Sequence, residues 1–156
     1  MPVFELQTHI HAPIGRVFDL SRSIDAHMAS TSQTGEKAIG GRTSGLIEEG
    51  ETVTWEATHF WVKQHLSVRI TKMDRPHFFE DQMLSGAFAS MSHQHFFQDL
   101  NGSTEMKDVF TFQAPLGILG RLAENLFLTN YMTKFLQKRN QTLKDLAESD
   151  SWRKYL

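Results

Sequence analysis

Alternation of apolar and polar residues over the first 113 positions predicts a β-sheet with two short helices near its start. Residues 3–12 place every second side chain on one face and predict an opening strand. Pro13 stops that strand and suits the first turn of a helix. The helical spacing of Ile14, Val17, Phe18 and Leu20 predicts this helix, and a second short helix is expected near 25–31.

Further strands are expected after a loop or weak strand at 32–45, a segment rich in Gly, Ser and Thr. Two alternating segments between residues 52 and 75 end at Pro76, and "HFFEDQMLSGAFA" at 77–89 predicts another strand. Residues 91–100 and 103–113 predict a hairpin whose turn is Asn101-Gly102, because this dipeptide favours a two-residue type I′ turn.

The period changes to 3.6 after Pro115 and predicts one helix of about 30 residues, about 45 Å long, from Leu116 to Glu148. The segment Lys138-Arg139-Asn140 is expected on its solvated face. The first half is apolar on more than one face, which favours contact with a cavity or with a second copy in a homodimer. Leu122 and Leu126 belong to this half.

These elements predict an α+β helix-grip fold, in which a curved antiparallel β-sheet wraps around a long C-terminal helix. Two short helices follow the first strand. We find no linker or internal repeat, so residues 1–156 are expected to form a single domain. Strong curvature of the sheet would leave a cavity between sheet and helix.

Composition removes several classes of function. The net charge of −2 offers no basic surface for nucleic acid. The absence of cysteine excludes disulfides, thiol catalysis and Cys-ligated zinc. Because no segment predicts a secretory signal or an integral membrane span, we expect a cytoplasmic protein. Phe and Met are abundant, with 12 and 7 copies, and such side chains also line adaptable apolar cavities.

The order of elements resembles that of the START-like SRPBCC superfamily, which includes polyketide cyclases, pollen-allergen-like carriers and lipid-transfer domains. Several stretches are similar to a bacterial branch of it: "IHAPIGRVFDL", "VTWEATHF", "RPHFFEDQMLSGAF", "HQHFFQDLNGSTEMKDVFTFQAPLGILGRL" and "KRNQTLKDL". The resemblance spans almost the whole chain. It implies a helix-grip fold around an apolar ligand cavity, and it carries over no catalytic residues.

The histidine-containing hairpin is the main candidate site. Counting outward from Asn101-Gly102 places His95 opposite Asp108 and His93 opposite Phe110. One face is mostly apolar and is expected to point inward. It comprises His93, His95, Phe97, Met106, Asp108, Phe110 and Phe112.

Four roles are open for the predicted pair of His95 and Asp108. The pair can anchor the polar end of a ligand in an apolar pocket. It can act as a general acid–base couple in a polyketide cyclase or dehydratase. The His-x-His pattern with a carboxylate also fits a metal site. The fourth role is purely structural, a pair of satisfied histidines that stiffens the hairpin.

We favour binding or carriage of a small hydrophobic molecule, with the cyclase or dehydratase as the alternative. No cofactor and no metal are assigned. Beyond the hairpin face, the expected ligand contacts are Trp55, His59, Phe79, Met83, Leu122 and Leu126. Asp81 alternates with Phe79 and Met83 and is either a second internal carboxylate or a solvated strand residue.

Overall fold

The computed structural model describes residues 1–123 and 127–156 and has the expected helix-grip architecture. Seven antiparallel strands form one sheet in the order β1-β7-β6-β5-β4-β3-β2. The strands are β1 Val3–Ile10, β2 Lys37–Gly41, β3 Thr52–His59, β4 Val62–Asp74, β5 Phe78–Ser85, β6 Ser90–Leu100 and β7 Ser103–Gln113. Register shifts in the β2–β3 and β4–β5 pairs are bulges that bend the sheet.

Two short helices connect β1 to β2, as the apolar spacing predicts. Helix α1, Ile14–Arg22, starts after Pro13 and buries Val17, Phe18 and Leu20. Helix α2, Ile24–Ser30, is capped by Ser23, whose hydroxyl accepts a hydrogen bond from the Ala26 amide at 3.1 Å. Both helices pack against the C-terminal helix.

Two parts of the helical region expected over Leu116–Glu148 are described. The structure describes α3, Gly117–Ala123, and α4, Thr129–Glu148, and residues 124–126 lie outside the described part. Both Leu116 and Gly117 have left-handed φ angles, 75° and 57°, so α3 begins at a sharp turn after the sheet. Helix α4 packs on β1, α1 and α2.

The hydrophobic core lies between the concave face of the sheet and the helices. Alternate residues are buried from Met91 to Phe97 of β6 and from Thr104 to Phe112 of β7, because side chains alternate across a strand. The described residues contain no helix long and apolar enough to cross a membrane.

Candidate functional site

The central strands bring the polar side chains of the hairpin into the interior. The β6–β7 register is the predicted one, with His95 opposite Asp108 and His93 opposite Phe110. On the other side of β6, strand β5 places Asp81 opposite His93 and Phe79 opposite His95. Asp81 is therefore an internal carboxylate, and two carboxylates flank the two imidazoles.

The shortest hydrogen bonds of the two histidines go to different carboxylates. Nε2 of His95 lies 2.9 Å from Oδ2 of Asp81, whereas Nε2 of His93 lies 2.7 Å from Oδ1 of Asp108. Nδ1 of His95 is 3.4 Å from the same oxygen of Asp108. This nitrogen is buried and makes no hydrogen bond with any described residue. The predicted polar pair of His95 and Asp108 is therefore present as a close approach of 3.4 Å in the predicted register, whereas the shorter hydrogen bonds of the two histidines go to Asp81 and Asp108.

Ring stacking explains why Nε2 of His95 is directed to Asp81. The His95 ring stacks on Phe79 with centroids 4.0 Å apart and an interplanar angle of 14°. On its other side it stacks on His93 at 3.8 Å and 29°. Held between two rings, His95 directs Nε2 toward β5 rather than β7. Sequence spacing within the hairpin carries no information about this neighbour, because Phe79 and Asp81 belong to another strand.

Helix α4 completes the surroundings of Asp108. The side-chain amide of Asn140 donates to Oδ2 of Asp108 at 2.7 Å, and Nη1 of Arg139 donates to Oδ1 at 3.4 Å. Arg139 and Asn140 are each only 2% exposed. The expectation that Lys138-Arg139-Asn140 forms a solvated helix face is therefore wrong for two of its three residues. They lie on the buried stripe of α4, between Leu136 and Leu143.

The electrostatic state of this cluster follows from burial and pairing. Burial, together with the neighbouring His95, lowers the pKa of His93 to about 4, although Asp108 opposes the shift. Burial also disfavours the imidazolium of His95, but Asp108 and Asp81 raise its pKa above the ordinary value. Despite the burial of Asp108, His93 and His95 hold the pKa of this carboxyl well below its usual range. At neutral pH, His93 is therefore neutral and the buried carboxyl group of Asp108 is ionised.

The cluster borders an inner cavity of about 120 Å³ between the sheet and the helices. Its polar lining comprises Asp81, His93, His95 and Arg139 from this cluster, together with Ser21, Arg22, Ser23, His27 and Glu36. The remaining lining is apolar and includes Ile24, Val53, Trp55, Leu66, Val68, Ile70, Phe79, Phe88, Met91, Phe110, Met132, Phe135 and Leu136.

An outer cavity of about 240 Å³ adjoins the first and shares several of its walls, among them Trp55, Phe88 and Met132. It contains a second polar pair, in which Nδ1 of His59 lies 2.6 Å from the hydroxyl of Tyr131. Burial lowers the pKa of His59, and Glu36 partly opposes this shift. The two adjoining cavities therefore carry one polar pair each, His95 with Asp81 in the inner cavity and His59 with Tyr131 in the outer one.

The expected ligand contacts divide into two groups. Those that line a cavity are Trp55, His59, Phe79, His93, His95 and Phe110. Those that line neither cavity in the described structure are Phe97, Met106, Asp108, Phe112, Met83 and Leu122.

The second group departs from expectation for physical reasons. Phe97, Met106, Asp108 and Phe112 face inward, but neighbouring side chains bury them almost completely. Met83 packs at the margin of the core. Leu122 on α3 is 54% exposed and points away from the core. Leu126 lies outside the described residues.

The sequence predicted that the C-terminal helix borders the cavity, but the contacts expected on it were Leu122 and Leu126 rather than residues of α4. Tyr131, Met132, Phe135, Leu136 and Arg139 all line one or both cavities. Their spacing of three and four residues is the available signal. A polar residue on this buried stripe of the helix, such as Arg139, is expected to have a buried partner.

Comparison with known proteins identifies the fold. No protein-family model matches the chain. No curated protein matches it either. Among solved structures, the Zhui aromatase/cyclase from Streptomyces sp. R1128 is similar with a TM-score of 0.76 and 12% identity, over 94% of this chain and 93% of that one.

Two further structures show the same likeness. TTHA0849 from Thermus thermophilus has a TM-score of 0.75 at 16% identity, covering 92% of this chain and 95% of the other. A START superfamily protein from Mycobacterium smegmatis has a TM-score of 0.70 at 9% identity, covering 94% and 97%. The protein therefore shares the helix-grip fold of these three structures, which is the fold that its resemblance implies.

Proposed function

We propose that the protein binds a small apolar or amphipathic molecule in the inner and outer cavities. The observation that carries this proposal is a largely apolar space between sheet and α4 with a few fixed polar groups on its walls. Binding sites for small molecules typically combine these two features. Similar folds in a START superfamily protein and an aromatase/cyclase support the same interpretation.

The polar groups define the kind of ligand. The hydrogen-bonded pair of His95 and Asp81 borders the inner cavity, and the pair of His59 and Tyr131 borders the outer one. A ligand with an apolar body and a hydroxyl or carbonyl group can hydrogen-bond to either pair. The neighbouring aromatic side chains accept its apolar part.

Native mass spectrometry of protein purified from cells tests the proposal. We expect a fraction of the protein to retain a stoichiometric small molecule that organic solvent extracts. The variant Ala57→Phe, which places a ring in the outer cavity, should lose this mass while remaining folded. Protein that carries no such mass, and also binds none of a panel of fatty acids and polyketide-like phenols, would contradict the proposal.

A second candidate function is proton transfer in a cyclase or dehydratase reaction. The observation that favours it is the hydrogen bond between His95 and Asp81 at the cavity wall, with the ring fixed by stacking. An imidazole so oriented can move a proton to or from a carbonyl substrate. Similarity to an aromatase/cyclase fold agrees with this chemistry.

The variant His95→Gln separates the two functions. For an enzyme, turnover of a poly-β-carbonyl substrate should be lost while substrate still binds. For a carrier, affinity should fall by about 1–3 kcal/mol because one buried polar contact is lost. Circular dichroism and thermal melting establish that the variant is folded.

A further inference from the structure

The inner cavity wall carries a set of metal-binding donors, of which the ligand-binding proposal uses only Asp81 and His95 and only as a hydrogen-bonded pair. Asp81, His93 and His95 each offer one ligand atom, and these atoms all lie within 4.8 Å of one another. All three residues border the inner cavity. Two imidazoles and one carboxylate are the donors that zinc and ferrous iron take when coordination positions must remain open.

The distances within the set suit a first-row metal ion. Nitrogen and oxygen ligands lie about 2.0–2.2 Å from such an ion, so adjacent ligands in an octahedral site are about 3 Å apart. Nε2 of His95 and Oδ2 of Asp81 are 2.9 Å apart. An ion that displaces the ring proton would lie off the line between these two atoms, so Asp81 would turn slightly to present Oδ2 to it.

Asp108 supports the two imidazoles from the side opposite Asp81. Its Oδ1 is 2.7 Å from Nε2 of His93, which leaves Nδ1 as the nitrogen with which this ring can bind an ion. The same oxygen is 3.4 Å from Nδ1 of His95. Metal-binding histidines commonly donate their other N–H to a carboxylate, which fixes the tautomer.

The position of Nδ1 of His95 is compatible with an ion on the other ring nitrogen. Among the described residues Nδ1 has no hydrogen bond, and it faces the buried carboxylate of Asp108. When Nε2 binds a metal, the single ring proton must sit on Nδ1, where it faces that carboxylate. Asn140 and Arg139 hold the carboxylate in place.

We propose that Asp81, His93 and His95 form a binding site for one divalent transition-metal ion, Zn²⁺ or Fe²⁺, with Asp108 as the residue that positions both imidazoles. The remaining coordination positions face the inner cavity. A ligand oxygen in the cavity can occupy one of them. The site does not depend on the identity of the apolar ligand.

Titration with Co²⁺ after treatment with a chelator tests the site directly, because Co²⁺ bound to nitrogen and oxygen ligands absorbs visible light. We expect a band that saturates at one ion per chain. Asp81→Asn, His93→Gln and His95→Gln should each abolish the band. Asp108→Asn should keep it and weaken the affinity by about 10–100-fold.

An exposed histidine pair provides the matched control. His9 and His11, near the start of the chain, have ring centroids 4.7 Å apart and offer an adventitious site. Changing both to alanine should leave the band unchanged. The proposal is overturned if wild-type protein shows no band, if the band survives in the ligand variants, or if it disappears in the His9→Ala/His11→Ala protein.

The metal site can still be tested if one of the variants Asp81→Asn, His93→Gln or His95→Gln fails to fold. Circular dichroism identifies such a variant, and the two others then carry the test. Zn²⁺ supplies an independent measurement on unmodified protein, since an ion that binds only the folded state must raise its melting temperature. An unchanged melting temperature at saturating Zn²⁺ would also overturn the proposal.

Discussion

Asp108 organises the interior at the scale of single residues. It is completely buried, and its two oxygens accept hydrogen bonds from His93 on β6 and from Arg139 and Asn140 on α4. Burial of a carboxylate is tolerated only when charge and hydrogen bonds compensate for lost hydration. This one side chain therefore links the sheet to the helix that covers it.

Removal of this carboxylate should be strongly destabilising. We expect Asp108→Ala to lower the free energy of unfolding by about 3–5 kcal/mol, because Arg139 is then left buried without its anionic partner. Urea denaturation measures the change. On the same strand, Glu105 pairs with the partly exposed His9, so Glu105→Ala should cost less than about 1 kcal/mol. Equal effects of the two substitutions would contradict this account.

His59 should titrate below an ordinary histidine. Burial lowers its pKa from 6.5, although the carboxylate of Glu36 acts in the opposite direction. The folded state therefore binds fewer protons than the unfolded state just below pH 6.5, so His59 contributes stability that is present above this pH and decreases as the pH falls.

NMR titration of the imidazole C2 proton measures this shift. The neighbouring groups are the Tyr131 hydroxyl, the Glu36 carboxylate and the exposed His65. We expect a midpoint below 6.5 for His59. His59→Gln should remove part of the loss of stability on acidification. A midpoint at or above 6.5 would show that burial does not control this residue.

At this scale the sequence predicts which face of a strand a residue occupies, but not which atom it binds. His93, His95 and Asp108 are interior residues, as their alternation predicts. The partner of His95 comes from β5 and is selected by stacking on Phe79, so it depends on tertiary structure. Arg139 and Asn140 were misassigned because their polarity outweighed their helical spacing.

At the scale of elements, two tight hairpin turns have similar left-handed backbone angles but different residues, Asn-Gly in one and Phe-Trp in the other. The β6–β7 turn, Asn101-Gly102, has φ angles of 57° and 102°, which this dipeptide adopts readily. The β3–β4 turn has φ angles of 52° and 63° at Phe60 and Trp61. Bulky residues in this region are strained, and the Trp61 side chain is 96% exposed.

Replacing a bulky residue by glycine at the β3–β4 turn should therefore stabilise the protein, and replacing the glycine at the β6–β7 turn should destabilise it. Trp61→Gly should raise the free energy of unfolding by about 1 kcal/mol, because it relieves a left-handed conformation and loses little burial. Gly102→Ala should lower it by about 1 kcal/mol. The added methyl group would meet no atom within 4 Å, so this loss reports backbone strain alone. Thermal or urea denaturation checks both, and destabilisation by Trp61→Gly would contradict the prediction.

Most elements could be predicted from the sequence because each carries a strong local signal. The period-two pattern and Asn101-Gly102 predicted β6 and β7 together with their register. The uninterrupted 3.6 period over Leu116–Glu148 predicted the helical residues of α3 and α4, but it does not show that Leu116 and Gly117 adopt left-handed angles at the start.

At the scale of the whole molecule, the sheet and α4 enclose space that their side chains do not fill. The element order predicted a hollow, but its walls depend on which α4 residues meet which strands. Trp55 and Phe88 line both cavities, as do Met132 and Phe135 from α4. The resemblance supplied the expectation of a cavity, and only the packed structure shows its extent.

Titration with an apolar, environment-sensitive fluorescent probe tests the central claim, that this space accepts an apolar ligand. Wild-type protein should bind one probe per chain with enhanced emission. Ala57→Phe, which fills the outer cavity, should weaken binding by about tenfold or more, which corresponds to about 1.4 kcal/mol. Ala89→Phe, on an exposed loop position, should not change it. Absence of saturable binding to wild type, or equal binding by Ala57→Phe, would contradict the account.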